Sequence, residues 1–202
     1  MTMTEILLAT NNDHKRREFT RLLPGTRVIT PQELGIDFSF EEDGDTFLAN
    51  ALGKARALFA QARRPVLADD SGLCVAALAG EPGVHSARYG AGPDGMLLAT
   101  PRRNALLLEK LNGTVIRSAY FVCCCALVLD EARFLTAQET VHGVIADAPR
   151  GENGFGYDPL FLFPERGLTM AQLADREKDA VSHRGRAARR ILALLRANDE
   201  GV

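Results

Sequence analysis

The stretch that decides the fold reads VLADDSGL, residues 66–73. An apolar run, Val66-Leu67-Ala68, reads as a buried strand. It meets two adjacent carboxylates, Asp69 and Asp70, followed by Ser71-Gly72. Side chains alternate across a strand, so the two acids face opposite sides. One reading is that the strand has reached water and turns at Ser-Gly. The other is that one carboxylate holds a metal or activates a water. The octapeptide supports both, and the strand is expected to end with its acids, spanning Val66 to Asp69.

Working outward, Pro65 separates this strand from TFLANALGKARALFAQAR, residues 46–63. Here Phe47, Ala51, Ala55, Leu58, Phe59 and Ala62 make one helical apolar stripe. Thr46, Asn50 and Lys54 make a second, polar stripe at spacing four. Gly53 lies inside this helix and weakens it by up to about 1 kcal/mol relative to Ala. The chain opens with a strand, Glu5 to Ala9. A polar turn, Thr10-Asn11-Asn12, then caps a helix from Asp13 to Leu23, which Gly25 ends. On the other side, residues 74–95 read as loops with a short helix, and 101–111 as a helix. An apolar strand (115–129) and a strand pair (133–146) follow, then a glycine-rich loop and a strand at 160–163. Thr169-x-x-Gln172 is a capping-box pattern for a helix to Arg176. Ser182 caps a last helix to Asn198, buried through Ala187, Ile191, Leu194 and Leu195. Strands and helices intermix without regular β-α-β alternation, so the class is α/β, with a mixed central β-sheet flanked by helices.

The 202 residues suit one domain (1–202), with or without two lobes. They are 46% apolar and 25% charged, as in ordinary globular proteins. A net charge of -2 supplies no basic field for nucleic acid. No apolar run is long enough to span a membrane. The first residues lack the features of a signal peptide, which points to the cytoplasm. The four cysteines, Cys74 and Cys123-Cys124-Cys125, include no CxxC pair and read as reduced, mostly buried residues.

Four segments carry chemistry. In LLATNNDHK (7–15) a strand ends, backbone amides open a helix, and Lys15 lies on its first turn; alone this reads as an ordinary capped strand-to-helix turn, and otherwise as an anion site to which Asn11 and Asn12 add neutral donors. It is not a Walker P-loop. In FEEDGDTFLANALGKA (40–55), Glu41, Glu42 and Asp43 form either a solvated loop tip or hard oxygen ligands for Mg²⁺. Lys54 is either a phosphate contact or a surface lysine. In PRGENGFGYDPLF (149–161), glycines permit close backbone approach and Phe155 can stack on a base. Tyr157 is better read as folded into the core. In EKDAVSHRGRAARR (177–190), Lys178, His183 and Arg184 cluster at a helix start, where cations oppose the dipole; an anionic ligand explains them. His183 also reads as a loop histidine, and Arg186, Arg189 and Arg190 as a solvated face.

Together these segments fit a nucleoside triphosphate with Mg²⁺. LATNNDHK, EEDGDTFLANALGKA, LADDSGL, GEPGVHSARYG, GENGFGYDPLF and EKDAVSHRG, in this order, closely resemble the inosine/xanthosine triphosphate pyrophosphatases across nearly the whole chain. The resemblance implies Mg²⁺-dependent hydrolysis of ITP, dITP and XTP to monophosphate and pyrophosphate by a homodimer. It also implies two lobes with the active-site cleft between them. Thr10, Asn11, Asn12, Asp13, His14 and Lys15 match the triphosphate-binding segment. Glu41 matches the metal-binding glutamate, with Glu42 as the alternative. Asp70 matches the metal ligand and general base, Ser71 a substrate contact, and Asp69 an acidic neighbour. Phe155, Gly156, Tyr157 and Asp158 match the base-binding loop; Lys178, His183 and Arg184 match residues that contact phosphate and base. Two rival readings are a related pyrophosphatase for another modified nucleotide and a non-catalytic nucleotide-binding module.

Overall fold

The computed structural model describes residues 3–92 and 94–200; Pro93, within the stretch read as loop, lies outside the described residues. In chain order the elements are β1 (Glu5–Leu8), α1 (Asp13–Leu22), β2 (Arg27–Ile29), α2 (Phe47–Ala62), β3 (Val66–Val75), α3 (Thr100–Lys110), β4 (Ser118–Val128), β5 (Phe134–Ile145), β6 (Phe161–Phe163), β7 (Leu168–Thr169), α4 (Asp175–Val181) and α5 (His183–Glu200). The strands form one sheet in the order β2-β1-β3-β4-β5-β6-β7. β1 runs parallel to β2 (Ile6 opposite Val28) and to β3 (Leu7 opposite Val66). β5, β6 and β7 are antiparallel neighbours. The sheet is therefore mixed, as the sequence pattern predicts.

The chain divides into two compact units. The first comprises Met1–Asp70, Cys123–Glu139 and His183–Val202; the second comprises Ser71–Val122 and Thr140–Ser182. In the first unit the period-two alternation of the strands builds a core on each sheet face. Leu8, Leu67, Cys123 and Cys125 pack with Phe19 of α1 and Ala187 of α5. Leu7, Ala68, Cys124 and Ala126 pack with Ala51 and Leu58 of α2. The neighbouring cysteines thus point apart, and all four in the chain are free thiols in buried positions. The second unit has its own core around Leu73, Leu107, Phe121, Tyr157 and Phe161, with the Phe121 and Phe161 rings 4.7 Å apart.

Several elements differ from the sequence reading. β3 does not end at its acids but runs on to Val75. Asp69 and Asp70 are 1% and 4% exposed, and Leu73 and Val75 continue the buried pattern beyond Gly72. Asn50 bonds Asp70, and Lys15 and Arg184 pair with Asp69, inside the protein, so the strand needs no turn there. The capping box at Thr169 is present, but it starts a 3-10 turn, Met170–Gln172, and a separate helix α4 begins at Asp175. Lys178 therefore sits on α4 and not in the approach to α5. The short edge strands β2 and β7 carry too few residues for a period to show. Leu194 is 37% exposed, because the buried face of α5 runs through Ala187, Ala188, Ile191 and Leu195.

Candidate active site

The turn after β1 is built by its asparagines. Asn12 caps α1: its side-chain oxygen accepts from the backbone N–H groups of His14 (2.9 Å) and Lys15 (3.2 Å). Asn11 donates its amide N–H to the Phe38 carbonyl at 3.0 Å. The asparagines expected to donate to an anion thus hold the turn itself. A cavity of about 750 Å³ opens beside it, lined by Thr10–Asp13 and by Thr30, Asp37 and Phe38 among others.

Lys15 leaves this turn toward β3, where its Nζ pairs with Asp69 Oδ1 at 3.1 Å. The other Asp69 oxygen accepts from Arg184 Nε (3.2 Å) and Nη2 (3.1 Å), and Arg184 Nη1 donates to Glu18 at 2.7 Å. Glu18, Asp69 and Arg184 are all buried. Burial opposes the ionisation of Asp69, but Lys15, Arg184 and Lys54 outweigh it and hold the carboxyl well below the usual range. Burial likewise works against the Lys15 charge, and Asp69 reverses the balance, so its pKa is raised.

Asp70 points to the other face, toward α2. Asn50 donates to its Oδ2 at 2.9 Å. Asn50 also accepts from the Gly44 N–H at 2.8 Å, tying the acidic loop to the same side chain. A Cβ on Gly44 would lie 2.7 Å from the Asn50 oxygen, which is why the loop needs glycine here. Glu42 pairs with Lys54, which is buried and no surface lysine. Burial, and then the Glu42 charge, push the Asp70 carboxyl up. The two adjacent acids are thereby driven in opposite directions. Glu41, matched above to the metal ligand, is exposed. The glutamate whose charge acts on Asp70 is Glu42, the alternative that the resemblance left open. Gly53 has its reason here too: a Cβ would meet the Phe40 ring at 2.9 Å, and Phe40 leads directly into Glu41 and Glu42.

In the second unit the glycine-rich loop is clasped from several sides. Asp158 accepts from the Phe155 N–H (2.8 Å) and from Lys178 Nζ (2.6 Å), and that Nζ lies 4.9 Å from the Phe155 ring centroid. A Cβ on Gly154 would overlap Asp158 at 2.1 Å, so this position must be glycine. Tyr157 is turned into the core, 4% exposed, and donates its hydroxyl to the Ser86 carbonyl at 3.0 Å. Its ring is buried among core side chains, as the residue pattern suggests, so within the loop it is Phe155 that offers an accessible ring. Phe155 remains half-buried. Ser71 follows Asp70 on β3, and His183 is the buried first residue of α5. Arg184, expected at a ligand, is 2% exposed and committed to two carboxylates.

The sequence reading missed Glu18, and it placed Asn50 without its partner. Glu18 lies four residues before Leu22 and next to Phe19, an acid within the buried stripe of α1. That position was the available signal.

A model of the Ham1 family matches residues 6–194. The chain belongs to the Ham1 family. Among its Ham1 relatives, a protein of Treponema denticola named dITP/XTP pyrophosphatase is 46% identical over 194 residues, covering 96% of this chain and all of the relative. One of the same name from Aromatoleum aromaticum is 47% identical over 94% of this chain and 96% of its own length. The solved HAM1 protein of Coxiella burnetii aligns with a TM-score of 0.85 at 41% identity, covering 96% of this chain and all of that one. The seven-stranded mixed sheet is thus the Ham1 fold.

Proposed function

We propose that this chain hydrolyses nonstandard purine nucleoside triphosphates, ITP, dITP and XTP, to the monophosphate and pyrophosphate. The relatives named dITP/XTP pyrophosphatase support the substrate class. The observation that carries the chemistry is the split between Asp69 and Asp70. One carboxyl is held ionised among cations; the other is raised by burial and the Glu42 charge and is oriented by Asn50. Two titratable neighbours pushed apart by their surroundings are the mark of divided roles. Asp70 takes the proton of the attacking water. Asp69 holds Lys15, which meets the phosphates.

The Asp70 and Glu42 oxygens are hard ligands of like charge, and the raised Asp70 carboxyl is a donor that a divalent cation would relieve. Among the described residues no group of three or more His, Cys, Asp or Glu could hold a metal. A pair of carboxylates suits Mg²⁺, which keeps waters and phosphate oxygens as its other ligands. When bound there, Mg²⁺ supplies positive charge to the triphosphate oxygens. Lys15 and its turn serve the triphosphate, and the Phe155–Asp158 loop serves the base. Lys178 serves that loop by anchoring Asp158 beneath Phe155. We further assign the chain to a reducing cytoplasm, in keeping with its four free thiols, and to a homodimer. Among the described residues no helix is long and apolar enough to cross a membrane.

Incubation with ITP, dITP, XTP, GTP, ATP and dTTP plus Mg²⁺, with products identified, tests this reading. The expected products are IMP, dIMP or XMP with pyrophosphate. Release of IDP and orthophosphate from ITP would reject it, as would a preference for dTTP.

A further inference from the structure

Helix α3 carries a polar side chain on its apolar face. Asn104 is 4% exposed and shares that face with the buried Leu107 and Leu111, where helical spacing favours an apolar residue. Its Nδ2 donates to the Gly156 carbonyl at 3.1 Å. Its Oδ1 has no hydrogen-bond partner among the described residues. A buried amide with an unpaired oxygen is worse for stability than an apolar side chain of similar shape. Packing therefore does not account for Asn104, whereas the bond it donates does.

That bond falls in the middle of the aromatic loop. Gly156 has φ +62 and no side chain of its own to anchor it. Its neighbours are secured separately: Tyr157 through Ser86, and Phe155 and Asp158 through their mutual hydrogen bond. Arg103, beside Asn104, adds its guanidinium 5.5 Å from the Tyr157 ring centroid and donates to the Ala87 carbonyl at 2.6 Å. The first half of α3 thus grips Gly156-Tyr157, and Phe155 stays half-buried at the edge of this clasp.

We propose that Asn104 is a positioning residue for the purine base. It fixes the Gly156 carbonyl and so holds Phe155 where its ring stacks on the base. The inference rests on the assignment of the 155–158 loop to the base made above. Stacking tolerates little displacement of the ring plane, and small misplacements far from the chemistry cost up to about a hundred-fold in catalytic efficiency.

The test uses the full chain with Asn104→Leu and, as a smaller replacement that cannot clash, Asn104→Ala. For each, kcat and KM are measured on ITP and XTP with Mg²⁺, beside Tm and the inhibition constant of inorganic tripolyphosphate, which has no base. The expected result is a KM higher by about ten-fold or more, with kcat, tripolyphosphate inhibition and the Tm of the leucine variant nearly unchanged. An unchanged KM, or a loss shared equally with tripolyphosphate inhibition, overturns the proposal. Failure of the unmodified chain to cleave ITP and XTP would overturn the functional reading instead, and it is seen before any variant is made.

Discussion

At the scale of single residues, the decisive fact is that Asp69 and Asp70 are neighbours with opposite surroundings. Alternation in a strand makes this legible in the sequence: two adjacent acids cannot share a face. Which acid meets cations was not legible, because Lys15, Arg184, Asn50 and Glu42 reach them across long sequence separations. Asp70 is raised by burial first and by the Glu42 charge second. As the proposed general base it must be ionised to accept a proton, and without a divalent cation beside it the carboxyl takes up its proton at a higher pH than an ordinary aspartate does. Glu42→Gln removes the like charge. In the metal-free protein the Asp70 carboxyl should then titrate at lower pH, read by carboxyl carbon NMR; an unmoved titration would mean that another group sets it. Asp70→Asn keeps the shape but removes charge and basicity. Activity should fall by about 10²–10⁴-fold. Because the folded pKa is raised, Asp70 favours folding least above that pKa, and the neutral amide removes this cost. The variant should melt at or above the parent temperature at pH 8, and a large loss of Tm would contradict this account.

At the scale of elements, α1, β3 and α5 of the first unit are joined by Glu18, Asp69, Lys15 and Arg184. Apolar periodicity located all three elements, while the cation cluster at the start of α5 and the resemblance gave Arg184 to a ligand. A pattern of residue types shows that a cation sits at a helix start, not whether an acid from another element meets it. The same limit applied to α2, whose polar stripe looks solvent-facing in sequence but buries Asn50 and Lys54 against Asp70 and Glu42. Removing one member of a buried ion network leaves its partners charged and unpaired, at a cost of about 3–5 kcal/mol. Arg184→Met should therefore lower Tm on the order of 10 °C. The pH dependence has a definite sign. The depressed Asp69 pKa contributes stability above the unfolded value, about 3.9, and that contribution is lost as pH falls through the folded value. Without Arg184 the depression shrinks, so the variant should lose stability at a higher pH on acidification than the parent does. Parallel acid-melting curves would remove Arg184 from the network.

At the scale of the whole molecule, a net charge of -2 supplies no global basic field, and the order of motifs gave the family. Neither showed that the Thr10–Lys15 turn and the Phe155–Asp158 loop fall in separate compact units. That division arises because the chain enters the second unit within β3, returns within β4, leaves again within β5 and comes back at α5. Each unit carries its own buried thiol reporter: Cys123–Cys125 in the first, Cys74 in the second. Burial raises the Cys74 thiol above its usual value and pushes Cys124 up to about 12, so these thiols react only when the surrounding structure opens. A ligand bound to the closed form slows labelling by a factor of one plus its ratio to Kd, about ten-fold at ten times Kd. Inorganic tripolyphosphate with Mg²⁺ should slow maleimide labelling of Cys123–Cys125 in preference to Cys74. Inosine, which has base and sugar but no phosphate, should do the reverse. Mass spectrometry of the labelled peptides separates the two groups. Protection of Cys74 alone by tripolyphosphate would move the phosphate end to the second unit, while equal protection everywhere would mean that the chain opens as one cooperative body.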